Sequence, residues 1–308
     1  MRPPILILGE ALMDCISQAD GTLLPLMGGS PFNLARAAAL QGGNVGYLSP
    51  FSTDAFGQQL KAQSLADGVR TLSPDSTRPT ALAVVTVRDG QPSYGFYREG
   101  VADRDYQPDA LLQLLSQMEP GVLHTGSLML VPPEHLKVLQ VLEGAKALGW
   151  TVSIDVNLRP KTAENLAEYC AAVMQAVDLA DWVKASEEDL HALGFAEARL
   201  ETAADVRHRF AKPSNKHIAF TFGAEGAYLW INGQETRARA PRIDVVDTVG
   251  AGDTFWGSCL VDWSDTGADA AQRVGATLNR AMTAAAINCS RKGCQPPKLE
   301  ELFLETDL

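Results

Sequence analysis

Short, mostly apolar runs recur along the chain at residues 5–8, 45–48, 122–124, 152–156, 182–185 and 218–222, each followed at once by a polar residue or a glycine. They are too short for helices and, apart from the alternating Val152-Ser153-Ile154-Asp155-Val156, lack a two-residue alternation, so they predict strands buried on both faces. Between them, residues 32–41, 55–67, 133–148, 163–177, 187–193 and 203–210 carry apolar positions at helical spacing. Strands alternating with helices predict a mostly parallel, doubly wound α/β sheet in which the helices are the crossovers. Two patches alternate with period two instead. Residues 12–17 with 22–27, and 81–88 with 93–98, flank the turns Asp20-Gly21 and Asp89-Gly90 and predict one small separate sheet. Beyond residue 222 the pattern changes again. Residues 228–231 and 236–240 predict a hairpin about Asn232-Gly233, followed by an apolar helix at about 254–263 and a long Ala-rich helix at about 267–288.

Composition supports one large enzyme-like core. The chain has 308 residues, of which 46% are hydrophobic, enough to fill a sizeable interior. No linker, repeat or low-complexity stretch divides it, so residues 1–308 are expected to form a single domain. Insertions at about 11–29 and 79–103 would form a lid. A net charge of −11 argues against nucleic acid as a partner, because the surface repels a phosphate backbone. The five cysteines show neither disulfide-framework nor zinc spacing. The apolar start turns polar at Gly9-Glu10, too early for a signal peptide, and no run approaches a membrane span. A cytoplasmic protein is expected.

The chemistry concentrates in two segments. In Asp247-Thr248-Val249-Gly250-Ala251-Gly252-Asp253-Thr254-Phe255, a carboxylate lies just inside a small-residue turn that opens an apolar helix. Backbone amides of Gly250, Ala251 and Gly252 can approach an anion closely, and the positive end of the helix points the same way. Asp253 would then stand beside a bound phosphate as a base for an acceptor hydroxyl. An acidic cap on a buried helix is the structural alternative. In Gly28-Gly29-Ser30-Pro31-Phe32-Asn33, a glycine pair precedes a helix start, and the Asn33 amide suits a polyhydroxylated ligand. No P-loop pattern is present, and no dinucleotide fingerprint follows the first strand.

These two motifs, in this order, resemble the signatures of the ribokinase-like carbohydrate kinases, the PfkB family, and the resemblance covers the whole chain. It is strongest to fructokinases, through Phe96-Tyr97-Arg98 with Ala102-Asp103 and through Asp155-Val156-Asn157-Leu158-Arg159. The resemblance implies a sugar site with Asp14, at the end of the first strand, and Gly28, Gly29 and Asn33. Arg98 and Arg159 would steer the substrate or stabilise transferring phosphate. ATP would meet Lys184, Ser186 and the loop with Thr221, Gly223 and Gly226. Ser186-Glu187-Glu188-Asp189 stands where the family carries Asn-x-x-Glu, so Glu188 or Asp189 would organise Mg²⁺ through water. Asp247, the Val249 carbonyl and Gly293 imply a monovalent-cation site, for instance for potassium. The lid implies a homodimer. The expected activity is ATP-dependent fructose phosphorylation at the primary hydroxyl. A 2-keto-3-deoxygluconate kinase, or another sugar kinase, and a sugar sensor without catalysis are the alternatives.

Overall fold

The computed structural model describes residues 2–18, 20–88 and 91–304, and structural statements below concern these residues. Strand β1 (Pro4–Ile7) leads into β2 (Leu12–Ser17), β3 (Leu23–Gly28) and helix α1 (Ser30–Leu40). Next come β4 (Asn44–Tyr47), α2 (Ala55–Ala66) and the short β5 (Arg70–Thr71), then β6 (Ala81–Arg88) and β7 (Gln91–Tyr97). The central βα units follow as α3 (Pro108–Ser116), β8 (Val122–Gly126), α4 (His135–Ala147), β9 (Thr151–Asp155) and α5 (Leu166–Leu179). After β10 (Trp182–Ser186), α6 (Glu187–Ala192), α7 (Ala203–Phe210) and β11 (His217–Thr221), a hairpin of β12 (Ala227–Ile231) and β13 (Gln234–Ala238) closes the sheet. Helices α8 (Ala251–Thr266), α9 (Val274–Cys289) and α10 (Glu301–Leu304) complete the chain.

The nine-stranded sheet has the order β13-β12-β11-β10-β9-β8-β1-β4-β5. Its pairings are parallel from β5 to β11, and only those of the β12–β13 edge are antiparallel. Successive residues of β1 divide between its faces. Leu6 packs with Val138, Val141 and Tyr169 on one side, and Ile5 and Ile7 with Phe32, Trp256 and Leu260 on the other. Full burial of both faces is why these strands read as apolar runs.

The expected small separate sheet is four-stranded, β3-β2-β6-β7, with β2 and β6 parallel at its centre, and is named the lid after its expected role. The turn Asp89-Gly90 lies outside the described residues. Asp14 sits within β2 of this lid, not at the end of the first strand, because β1 already ends at Ile7.

Three other expectations need correction. Helix α3 was not anticipated, although Pro108 at its start, Asp109 in its first turn and the buried Leu111 and Leu115 carry its signal. The helix expected at about 267–288 is two elements, a 3-10 segment at Gly267–Arg273 and then α9. The motif helix begins at Ala251, so its first turn holds Gly252 and Asp253.

Candidate active site

The C-terminal ends of the parallel strands face a cavity of about 1330 Å³, the usual position for a ligand site in a doubly wound sheet. Its walls bring together most residues that the sequence singled out. Asp14, Gly29, Asn33, Arg159 and Asp253 border it, as do Lys184, Ser186, Glu188, Asp189, Thr221, Gly223 and Gly226. The loop residues Asp247, Val249, Gly250, Ala251, Gly252 and Gly293 border it too. Gly28 and Arg98 do not.

Asp253 is the best-anchored group. Its Oδ1 accepts from the Ser30 hydroxyl at 2.6 Å and its Oδ2 from the Asn33 amide at 3.0 Å, so the two motifs meet on one carboxylate. Helices α1 and α8 approach closely to allow this. A Cβ on Gly257 would lie 3.1 Å from the Leu34 carbonyl of α1. Burial raises the Asp253 carboxyl above its ordinary range, opposed by the Ser30 and Asn33 hydrogen bonds and by the charges of Lys184 and Arg159. Ser30, overlooked as a site residue, was legible only as the first helical position after the glycine pair. The Asn33 Oδ1 has no partner among the described residues.

The turn before Asp253 is shaped for an anion. Gly250 has a φ of 75°, in the left-handed region. The Ala251 amide donates back to the Thr248 carbonyl at 3.2 Å, and the Thr254 amide makes the first helical bond, to Gly250, at 2.8 Å. The intervening amides of Gly252 and Asp253 have no helical acceptor. Of the three amides expected to cradle a phosphate, that of Ala251 is therefore committed to its own turn.

A buried cation underlies this turn. The register of β9 and β10 places Lys184 opposite Asp155. The Lys184 Nζ donates to both Asp155 oxygens at 2.9 Å, and the two residues are 4% and 1% exposed. A Cβ on Gly252 would stand 3.3 Å from that Nζ, so glycine there lets the ammonium lie against the helix start. Burial works against the charge of Lys184, but the Asp155, Asp189 and Asp253 carboxylates raise its pKa overall and keep it protonated. Lys184 is thus a buried ion-pair partner that also borders the cavity.

The acids after β10 separate into two kinds. Ser186 and Asp189 form a capping box on α6: the Asp189 amide donates to Ser186 Oγ at 3.2 Å, and the Ser186 amide to Asp189 Oδ2 at 2.7 Å. Asp189 Oδ1 also accepts from the Leu158 amide at 2.7 Å. Both Asp189 oxygens are occupied by backbone, whereas Glu188 is exposed at the cavity. Among the described residues, no group of three or more His, Cys, Asp or Glu is placed to chelate a metal directly.

On the loop side, Asp247 joins two segments by accepting from the Val249 and Gly293 amides at 3.0 and 2.9 Å. The Val249 carbonyl accepts from the buried Asn288 at 2.8 Å. Gly226 is required by packing, since a Cβ there would fall 2.0 Å from the Ala238 carbonyl.

On the lid side, burial raises Asp14 to about 6 against the pull of Arg159. The Asp14 carboxylate accepts no hydrogen bond from the described residues. Gly28 acts from behind it, because a Cβ there would collide with Asp14 Oδ2 at 2.1 Å. The Arg159 Nη1 donates to the carbonyls of Asn157 and Leu158 at the cavity rim. Arg98 is turned elsewhere. It is 9% exposed, and its charge acts on Glu10 and Asp103.

Comparison with known proteins agrees with this geometry. Residues 3–302 match the family described as pfkB family carbohydrate kinase. The chain is 32% identical over 260 residues to a fructokinase of Rhizobium leguminosarum bv. trifolii, covering 82% of this chain and 77% of that protein. Among solved structures, a fructokinase with bound ATP from Xylella fastidiosa superposes with a TM-score of 0.83 at 27% identity, covering 99% of this chain and 98% of that one. A fructokinase from Vibrio cholerae O395, with fructose, ADP and calcium ion bound, gives a TM-score of 0.83 at 26% identity, with 98% of each chain covered.

Proposed function

Because the chain belongs to the pfkB family of carbohydrate kinases, we propose that it is an ATP-dependent fructokinase, moving the γ-phosphoryl group to the primary hydroxyl of D-fructose to give fructose 6-phosphate. One observation carries the reading. Asp253 is oriented by Ser30 and Asn33 beside unpaired first-turn amides, in a cavity large enough for a sugar and a nucleotide. Fructose comes from the relatives, which are fructokinases.

In this mechanism Asp253 takes the proton of the attacking hydroxyl, and its raised pKa makes it a better base than a solvated aspartate. The first-turn amides and the Lys184 ammonium face charge that develops on the transferring group. The free Asn33 Oδ1, Asp14 and Arg159 would hold the sugar hydroxyls, with Gly29 letting the backbone approach. Ser186, Thr221, Gly223 and Gly226 would border ATP. Glu188 suits a hydrated Mg²⁺, which would neutralise phosphate charge when bound; Asp189 would support it from the cap. Asp247, Val249 and Gly293 would enclose a monovalent cation. A homodimer through the lid belongs to the same proposal and is supported by the exposed Leu23, Leu24 and Leu26 on edge strand β3. A cytoplasmic site of action is supported by five free cysteines.

The test is ADP release from Mg-ATP against fructose, ribose, 2-keto-3-deoxygluconate, glucose, tagatose and adenosine, with and without potassium. Strong preference for fructose is expected. Preference for another acceptor would replace the substrate, and sugar binding without turnover would replace the enzyme with a sensor.

A further inference from the structure

The chain passes between core and lid four times, and two of these crossings carry buried charge. Glu10 lies between β1 and β2, Arg98 directly follows β7, and Asp103 lies in the 3-10 turn by which the chain re-enters the core. The three residues are 1%, 9% and 2% exposed. Burial raises Glu10 to about 7 and Asp103 to about 6, and for both the largest opposing influence is the Arg98 charge. The Ser127 hydroxyl also faces Glu10, and the Ala11 amide faces Asp103. Even so, the ionic groups are not joined. Glu10 Oε2, Arg98 Nε and Nη2, and both Asp103 oxygens lack a hydrogen-bond partner among the described residues. The core side of the crossing after β7 is already fixed, because Arg104 donates to the Arg98 carbonyl and to Glu134, both at 3.0 Å.

Opposite charges buried together without bonds favour any small movement that unites them, since each unmet group keeps its full desolvation penalty. We propose that Glu10, Arg98 and Asp103 form a latch that engages as the lid closes over the acceptor. Arg98 then acts as a positioning residue for the lid and does not bind sugar. This rests on the sugar-kinase reading, because closure needs an acceptor in the cavity. Arg98 borders a different, smaller cavity of about 500 Å³, which is consistent with a role away from the reacting atoms.

The experiment compares Arg98→Met, Arg98→Lys and Glu10→Gln with the wild type, using whichever acceptor of the panel gives turnover. Arg98→Met is expected to raise the acceptor KM about tenfold, hold kcat within about threefold and let ADP release outrun sugar phosphate, because a loose lid admits water. Arg98→Lys should restore most of the coupling, and Glu10→Gln should add little in the Arg98→Met background. An Arg98→Met enzyme that melts earlier, yet keeps the wild-type KM and forms ADP and sugar phosphate in step, overturns the latch. If Arg98→Met does not fold, a wild-type crystal structure with acceptor decides. An Arg98 nitrogen within about 3.2 Å of Glu10 or Asp103 is expected. Arg98 bonded to the acceptor, or a triad still unpaired under a closed lid, overturns it. A wild type that turns over no acceptor removes the sugar-kinase reading, and the latch with it.

Discussion

The cavity has two walls, each with a carboxylate, and they are built differently. On the core wall, both oxygens of Asp253 are held by side chains of α1. On the lid wall, Asp14 borders the same space but its carboxylate accepts no hydrogen bond from the described residues. The core wall is organised by these two bonds, as the proposed base role of Asp253 requires if its orientation is not to be rebuilt at every turnover. The lid wall leaves its acceptor sites open, as the proposed sugar-binding role of Asp14 requires.

The largest test of this contrast is Asp253→Ala, expected to lower kcat by about two to four orders of magnitude while sugar affinity, measured by calorimetry, stays near wild type. Near-normal turnover would dissolve the distinction at its strongest point. Next, Lys184→Met should destabilise the fold by about 3–5 kcal/mol in urea unfolding, since it strands Asp155 in the core. Adding Asp155→Leu should return part of that loss, and a neutral single variant would mean that the pair contributes nothing to the rigid wall.

Asp14→Ala should raise the sugar KM about tenfold to a hundredfold, the worth of charge-assisted hydrogen bonds, with kcat less affected. A loss in kcat alone would make the lid wall catalytic.

A smaller effect comes from pH. Glu10 is raised from 4.5 to about 7, and Asp103 from 3.8 to about 6. The folded chain therefore holds more protons than the unfolded chain across that window. Stability contributed by these acids is full below their unfolded pKa values and is lost as pH rises toward about 7. Around Glu10, the neighbouring groups include Arg98, Asp103, Tyr47 and Tyr169. Urea midpoints should fall between pH 5 and pH 7.5, and Glu10→Gln should flatten the trend; a wild-type profile that rises instead contradicts the sign. The smallest change is expected from Leu24→Lys on the lid edge. It should split a dimer in sedimentation while shifting stability by no more than about 0.5 kcal/mol.

The two walls also differed in how far the sequence revealed them. Core strands are legible because burial on both faces leaves a mostly apolar run, and β10, β11 and β12 fell within a residue or so of expectation. The Gly-rich turn and Asp253 are local in sequence and could be read as one unit. What escaped depends on contacts made across the fold. Nothing near Lys184 announces that the register sets it opposite Asp155. Asp189 looks like a metal-organising acid until both oxygens are found on backbone amides. Arg98, in a stretch similar to that of fructokinases, faces Glu10 and Asp103 because the chain re-enters the core just beyond it.

The bond between Ser30 and Asp253 spans 223 residues. During synthesis the glycine pair, α1 and most of the sheet emerge long before α8 exists, so the early chain can acquire its architecture without the carboxylate that Ser30 and Asn33 hold. A ribosome-released fragment ending before residue 250 would contain every strand of both sheets, yet would have no carboxylate for Ser30 and Asn33 to grip. On the proposed assignment of Asp253 as base, competence to transfer phosphate is therefore acquired only in the last stage of manufacture.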